Sequence, residues 1–493
     1  MTVGILLTFL FCPSLKSGAA GLAFRLFAGG GLGIGVTSCL YFVCLLTGLS
    51  RYSPAIDLGV CLLLGIPCFI FFRRPAVRGS QPLPETGKRS HFPILLAGIF
   101  SVELIATVVS FVFAFLKEPH GRWDAWLIWN MRARFLYRDG EQWRDAFASG
   151  LDWSMWDYPL LLPLSIVRSW NYMGGENSLI PALIAFVFTF LTLGLLVAAL
   201  ALLKGWAPGY LAAMILMGSP LFIFMGASQF ADIPFAFFML ATLVMLLIGM
   251  REDNPAGPLM LAGIAAGLCA WTKNEGLLFL AIAAGSLLVT AIFTGGRRAT
   301  FRRIGPFLAG ALPILLMVLY FKLRLAPSGY LAAGFTLSSL SMKLFDLSRY
   351  AEIARAFFIT GISFTQGLID VRVGMHLNPG AVNILLLIGY LFLVGVRIDL
   401  RDRIGVIQSA AILCLMTTGY FFIYVLTPLD LSYHLATSLN RLFLQLWPGV
   451  IFLLFMAAGK PEEKPSTERG TETIPPLTKS RPVQGKKRQK SRR

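Results

Sequence analysis

The chain has 493 residues, of which 56% are hydrophobic and only 14% charged, and its formal net charge is +18. Soluble domains carry roughly a quarter charged residues. This chain therefore lacks the polar surface of a soluble enzyme, and the same balance excludes a disordered protein and a disulfide scaffold. Mean hydropathy is +0.71. The apolar residues come in long runs, such as 180–203 and 257–268, that do not alternate with polar ones. That excludes a transmembrane barrel. In lipid the remaining spanning structure is the helix, which satisfies its own backbone. The expected fold is an all-α polytopic membrane protein with about 12 transmembrane helices.

Along the chain, residues 3–12 are apolar with no basic residue before them, which gives little support for a cleaved signal peptide. The predicted spans are 22–49, 55–72, 92–116, 179–203, 208–225, 231–250, 257–271, 275–293, 304–323, 381–396, 404–426 and 442–457. Basic residues set the orientation. Arg73, Arg74, Arg78, Lys88 and Arg89 share one turn, Arg297, Arg298, Arg302 and Arg303 another, and Arg397, Arg401 and Arg403 a third. All three fall on one side, with the basic tail, if the N-terminus is cytoplasmic. Residues 351–369 are apolar enough to cross, but crossing would put those arginines and the tail outside. They are read as an amphipathic or re-entrant helix. The organisation is then two accessory spans in 1–91, a transmembrane body in 92–457 and a disordered basic tail in 458–493. Large outer loops occupy 117–178 and 324–380.

The seven cysteines all lie in apolar segments without metal-ligand spacing and read as packing residues. The net charge is mostly topogenic, so no nucleic-acid partner is expected. Membrane lipids are the expected surroundings, and the sequence is silent on oligomeric state.

The first large loop is the informative one. Seven of the ten tryptophans lie between Trp123 and Trp170. An interfacial aromatic belt explains much of that cluster. It does not explain Asp124 between Trp123 and Trp126, followed by Asn130 and Arg134. Residues 125–137 lack Gly and Pro and predict a helix with Asn130 and Arg134 on one face. Asp157 and Tyr158 precede a helix-starting proline. Two polar islands interrupt apolar sequence further on, Gln229 to Pro234 around Asp232, and Trp271 to Gly276 with Lys273 and Glu275. Each alone could be loop solvation. Both fall on the same outer face as Asp124, and ionisable groups beside a span are functional candidates by default. Two acids and a cation around one cavity suit acid–base chemistry and phosphate binding. The last outer loop adds His434, which also reads as a structural histidine, and Arg441 at the start of the final span, either an interfacial anchor or a phosphate ligand. Asp124 and Asp232 could share a divalent metal, although no His or Cys supports one. No nucleotide-binding motif is present.

The patterns W-D-A-W-x-I-W-N-x-R-A-R-F-L-Y, D-Y-P-L-L-L-P, F-A-D-I-P-F-A-F-F and T-K-N-E-G, spread over residues 92–293, resemble integral membrane glycosyltransferases of the GT-C superfamily. Within that superfamily the chain looks like bacterial proteins related to protein O-mannosyltransferases and lipid A aminoarabinose transferases. A further echo is the T-P-x-D-L and N-R-L element near the C-terminus. The resemblance implies a GT-C-like body, a polyprenyl-phosphate-linked sugar donor and transfer on the extracytoplasmic face of a bacterial plasma membrane. It implies Asp124 as catalytic base, Asp232 as a second catalytic carboxylate that orients the acceptor or assists charge stabilisation, and Lys273, Arg134 and Arg441 as ligands of the donor phosphate. Trp123, Asn130, Asp157, Tyr158, Glu275 and His434 complete the expected substrate site. This chain departs from the family in having Ala125 where a second acid often follows the first, and in placing two extra spans before the first catalytic loop. The competing readings are a lipid or glycan transporter, against which no internal repeat is visible, and a scaffold, which leaves Asp232 and Lys273 without a role.

Overall fold

The structure is a computed structural model and describes residues 1–13, 15, 18–73, 92–148, 150, 154–326, 337–363 and 384–459. Among them every regular element is helical, as the apolar composition requires. In chain order the helices are α1 (Thr2–Phe11), α2 (Ala19–Leu46), α3 (Ser53–Arg73), α4 (Phe92–Lys117), α5 (Met131–Arg138), α6 (Leu161–Met173), α7 (Leu179–Leu203), α8 (Trp206–Met217), α9 (Pro220–Ala227), α10 (Asp232–Arg251), α11 (Ala256–Thr272), α12 (Glu275–Thr294), α13 (Arg297–Arg324), α14 (Leu337–Leu344), α15 (Leu347–Ser363), α16 (Ile384–Val394), α17 (Arg403–Leu426) and α18 (Leu431–Ala457).

Each of the twelve predicted spans finds a helix. Nine are long and apolar enough to cross a membrane: α2, α3, α4, α7, α10, α12, α13, α17 and α18. The fifth predicted span is not straight. It is the pair α8 and α9, bent by 70°. The break falls at Gly218 and Ser219, where Ser219 is extended and Pro220 opens the next helix; proline suits a first helical turn and cannot continue a preceding one. α11 is shorter than a full span at 17 residues. Residues 74–91, 327–336, 364–383 and the tail from 460 lie outside the described residues.

α10 forms the centre. Eighteen residues of its best apolar window are 94% buried, and it packs against α7, α11, α17 and α18. It therefore meets protein on all sides, which explains why its sequence is apolar all round rather than striped. One end of the bundle gathers the N-termini of α7, α10, α12 and α18 and the C-termini of α4, α9, α11, α13 and α17. At the opposite end Arg251 of α10 pairs with the fully buried Asp402 that precedes α17. The N-terminal apolar run forms α1 and packs on α2, α3 and α11. The first large loop is tied to the accessory spans, because Arg168 and Tyr172 of α6 both donate to Asp57 of α3, at 2.7 and 2.5 Å.

Two segments late in the chain complete the bundle, and the second departs from its expected boundaries. α15 covers most of 351–369 and is not among the helices long enough to cross. It lies on the ends of α17 and α18, with Phe357 against Phe421, Tyr424 and Phe443. Arg349 donates to the carbonyls of Tyr424 and Val425, both at 2.9 Å, satisfying groups that the end of α17 leaves free. The last span also begins earlier than the pattern predicts. Asp430 caps α18 by accepting from the Tyr433 amide at 2.9 Å, so the stretch 431–441 is helix rather than loop. Arg441 is not at the start of the last span but three turns inside α18.

Candidate active site

The site grows from the backbone after α4. Gly121 has φ +74°, a left-handed conformation, and a Cβ there would lie 2.8 Å from the Ser228 carbonyl oxygen. Glycine lets the two chains touch, and the Arg122 amide donates to that same carbonyl at 3.2 Å. Helix restarts at Trp123 and passes through a π-helical turn over Ala125–Asn130, a wide turn that often marks functional sites. The buried Asn130 donates to Gln229 at 2.8 Å, and Gln229 donates back to the Pro119 carbonyl at 2.9 Å. These bonds bring the first acid-bearing segment beside the N-terminus of α10, and so Asp124 beside Asp232.

Asp232 is 0% exposed. A carboxylate this deep is tolerable only when fully hydrogen-bonded and paired. Its Oδ1 accepts from Lys273 Nζ at 3.0 Å and Gln445 Nε2 at 2.7 Å. Its Oδ2 accepts from Arg441 Nε at 3.0 Å and Nη2 at 2.8 Å. Arg441 Nη2 also donates to Asp124 Oδ2 at 2.5 Å. Lys273 pairs with Glu275 at 3.1 Å, and Tyr420 orients Gln445 by donating to its Oε1 at 2.6 Å. Five charged residues from four separate segments thus form one chain, Asp124–Arg441–Asp232–Lys273–Glu275, alternating in sign. It holds three carboxylates against two cations. Burial works against the charge on Lys273, but Asp232 and then Glu275 outweigh it, and its pKa is raised. The tight turn that presents Lys273 and Glu275 requires Gly276, where a Cβ would lie 2.1 Å from the Cys269 carbonyl oxygen.

Asp157 adjoins this chain. It accepts from Asn274 at 2.8 Å and faces Lys322 at 3.6 Å, and Lys322 donates to Asn274 at 2.6 Å. Arg132 supports the 154–158 segment from below, donating to the carbonyls of Trp156 at 3.0 Å and Tyr158 at 3.3 Å. With only carbonyl and hydroxyl acceptors in hydrogen-bond reach, burial pulls its pKa down to about 10, partly opposed by Asp157. Burial, with Glu275 next, pushes the Tyr158 phenol well up, so it stays a hydrogen-bond donor. His434 lies on α18 two turns before Arg441, its ring 4.8 Å from that of Tyr424. His434 Nδ1 and Glu275 Oε2 are buried without a hydrogen-bond partner among the described residues, so both are available to a polar ligand.

The structure therefore brings together Asp124, Asp232, Lys273, Glu275 and Arg441, with Asp157, Tyr158 and His434 around them and Asn130 as a strut. It does not bring in Arg134, which faces Glu176 at 3.9 Å, whereas Asn130 is held by Gln229. Trp123 is 68% exposed and points away from the network, as an interfacial tryptophan would. A metal shared by Asp124 and Asp232 does not fit, because the Arg441 guanidinium bridges the two carboxylates and supplies the positive charge there. Among the described residues no group of three or more His, Cys, Asp or Glu side chains could hold a metal ion. Sequence reasoning missed Gln445, Tyr420, Lys322 and Arg132. Gln445 and Lys322 had a signal, a polar side chain inside an apolar helix.

A family model described as dolichyl-phosphate-mannose-protein mannosyltransferase matches residues 159–321. That segment is about a third of the chain and contains Asp232, Lys273 and Glu275. No curated protein and no solved structure matches the chain. The matched family lies in the GT-C superfamily, the same one that the sequence motifs resemble.

Proposed function

We propose that this chain, a membrane glycosyltransferase of the GT-C type, moves a sugar from a polyprenyl-phosphate donor to an extracytoplasmic acceptor, with inversion at the anomeric carbon. The observation that carries the reading is the Arg441 guanidinium, which joins Asp124 and Asp232 across sequence separations of 317 and 209 residues. The distribution of basic residues supports placing this end of the bundle outside a bacterial plasma membrane, with the tail in the cytoplasm.

The two acids take different roles. All four hydrogen bonds to Asp232 come from fixed donors, and it has no exposed surface. It is a positioning residue that holds Lys273 and Arg441. Asp124 keeps 15% of its side chain exposed and spends only Oδ2 on Arg441. Its other oxygen is the base. It takes the proton of an acceptor hydroxyl as that oxygen attacks the anomeric carbon and the bond to the donor phosphate breaks. The carboxylate also stabilises the cationic character of the anomeric centre. The departing polyprenyl phosphate gains negative charge, which calls for fixed cations. Arg441 has Nη1 left over from its carboxylate contacts, so its outer edge meets the phosphate. Lys273 is only 5% exposed and acts through its field. Glu275 Oε2 and His434 Nδ1, buried without a hydrogen-bond partner among the described residues, and the Tyr158 hydroxyl suit sugar hydroxyls.

The test is a membrane assay of the full-length protein against a panel of polyprenyl-phosphate sugars, following release of polyprenyl phosphate and the anomeric configuration of the product. Turnover of at least one donor with inverted configuration is expected. No turnover across a broad panel would instead favour transport, and retention would remove the single-displacement mechanism.

A further inference from the structure

A separate cavity of about 260 Å³ opens where the end of α4 meets α9. Phe113 and Ala114 of α4 and Phe224 and Ala227 of α9 form its walls, and Lys117 and Arg122 stand at its rim. The best apolar window of α4 is only 11% buried inside the protein, and Phe113 is 59% exposed. The groove therefore faces lipid, at the level where α4 leaves the membrane. Cations at such a level ordinarily extend towards water. Here both are folded back. The Lys117 ammonium lies 4.5 Å from the centre of the Phe113 ring, and the Arg122 guanidinium 4.1 Å from that of Phe224. Arg122 shares its charge with Glu118 at 2.8 Å, whereas Lys117 has no carboxylate partner among the described residues. The rim thus keeps a net positive charge directly above an apolar slot.

We propose that this groove seats an anionic phospholipid of the surrounding membrane, with an acyl chain between the two phenylalanines and its phosphate against Lys117 and Arg122. The complementarity is double, of charge at the rim and of hydrocarbon in the slot, and neither half alone fits a soluble anion or a neutral lipid. The site is distinct from the Asp232 network and does not rest on the transferase reading. Its occupant also bears on the backbone that places Asp124, since the Arg122 amide is the group bonded to Ser228.

The test is native mass spectrometry of the full-length protein, with titration by phosphatidylglycerol, phosphatidylcholine and a long-chain polyprenyl phosphate. Retention of phosphatidylglycerol over phosphatidylcholine is expected. Lys117→Gln and Arg122→Gln should each weaken it about fivefold, the worth of one basic residue beside an anionic headgroup. Ala114→Phe, which fills the slot, should weaken all anionic lipids, and Ala114→Leu serves if that variant misfolds. Arg441→Gln should leave phosphatidylglycerol binding unchanged. Polyprenyl phosphate should bind no more tightly than phosphatidylglycerol; markedly tighter binding would overturn the proposal by assigning the groove to a lipid carrier. No preference for anionic over zwitterionic lipid, or unchanged binding in both the charge and the slot variants, would overturn the proposal.

Discussion

Arg441→Leu is the sharpest probe of the charge network. The substitution strips Asp232 Oδ2 of two charge-assisted hydrogen bonds, at 3.0 and 2.8 Å, and Asp124 of one. Removing one partner of a buried ion pair costs about 3–5 kcal/mol. Asp232 keeps Lys273 and Gln445 on Oδ1, and Asp124 is partly solvated, so the lower end applies, about 3 kcal/mol. That loss comes from an under-compensated buried carboxylate and not from missing packing. It follows that the double variant Arg441→Leu with Asp232→Asn should recover at least half of the lost stability, because the carboxylate is gone too. Neither variant should transfer sugar. The assay is the thermal midpoint of the full-length protein in one detergent, read beside donor turnover. A double variant no more stable than the single one would refute the electrostatic account. So would a single variant that melts like the wild type.

Other outcomes follow from the same contacts. Tyr420→Phe leaves Gln445 Oε1 without its 2.6 Å donor and should cost about 1–3 kcal/mol, visible as a lower thermal midpoint; an unchanged midpoint would remove Tyr420 from the network. Gly276→Ala places a methyl group 2.1 Å from the Cys269 carbonyl oxygen and should lower stability by about 1–3 kcal/mol while reducing turnover, since the turn carrying Lys273 must shift. Wild-type turnover would show that the turn is not positional. Arg134→Ala should keep turnover within about threefold of wild type, as loss of a long, partly exposed ion pair does little; a loss of a hundredfold or more would return Arg134 to the phosphate site.

The membrane architecture was legible because long apolar runs leave few choices in lipid. Even the break between α8 and α9 has a local mark, the adjacent Gly218, Ser219 and Pro220. The start of α18 was not legible. Ser432, His434, Thr437, Ser438 and Asn440 make 431–441 look like a polar loop, yet Asp430 caps it and it winds as a helix that carries His434 and Arg441 to the site. The candidate acids were visible one at a time, as charges beside spans. Their conjunction was not, because it depends on Asn130 meeting Gln229 and on a guanidinium from the far end of the chain. Arg134 shows the complementary limit. Spacing of four residues places two side chains near one face of an α-helix, but tertiary partners decide what each meets, Gln229 for Asn130 and Glu176 for Arg134.

The central claim is that the free oxygen of Asp124 is the base of a polyprenyl-phosphate-dependent transfer. The most direct measurement is single-turnover transfer from a saturating radiolabelled donor by Asp124→Asn, with donor binding measured on the same preparation. Asparagine preserves size and an acceptor for Arg441 but cannot take the proton. The account predicts a rate lowered by about 10²–10⁴, with donor binding changed far less and a thermal midpoint close to wild type. A folded Asp124→Asn protein that transfers sugar at the wild-type rate would contradict it.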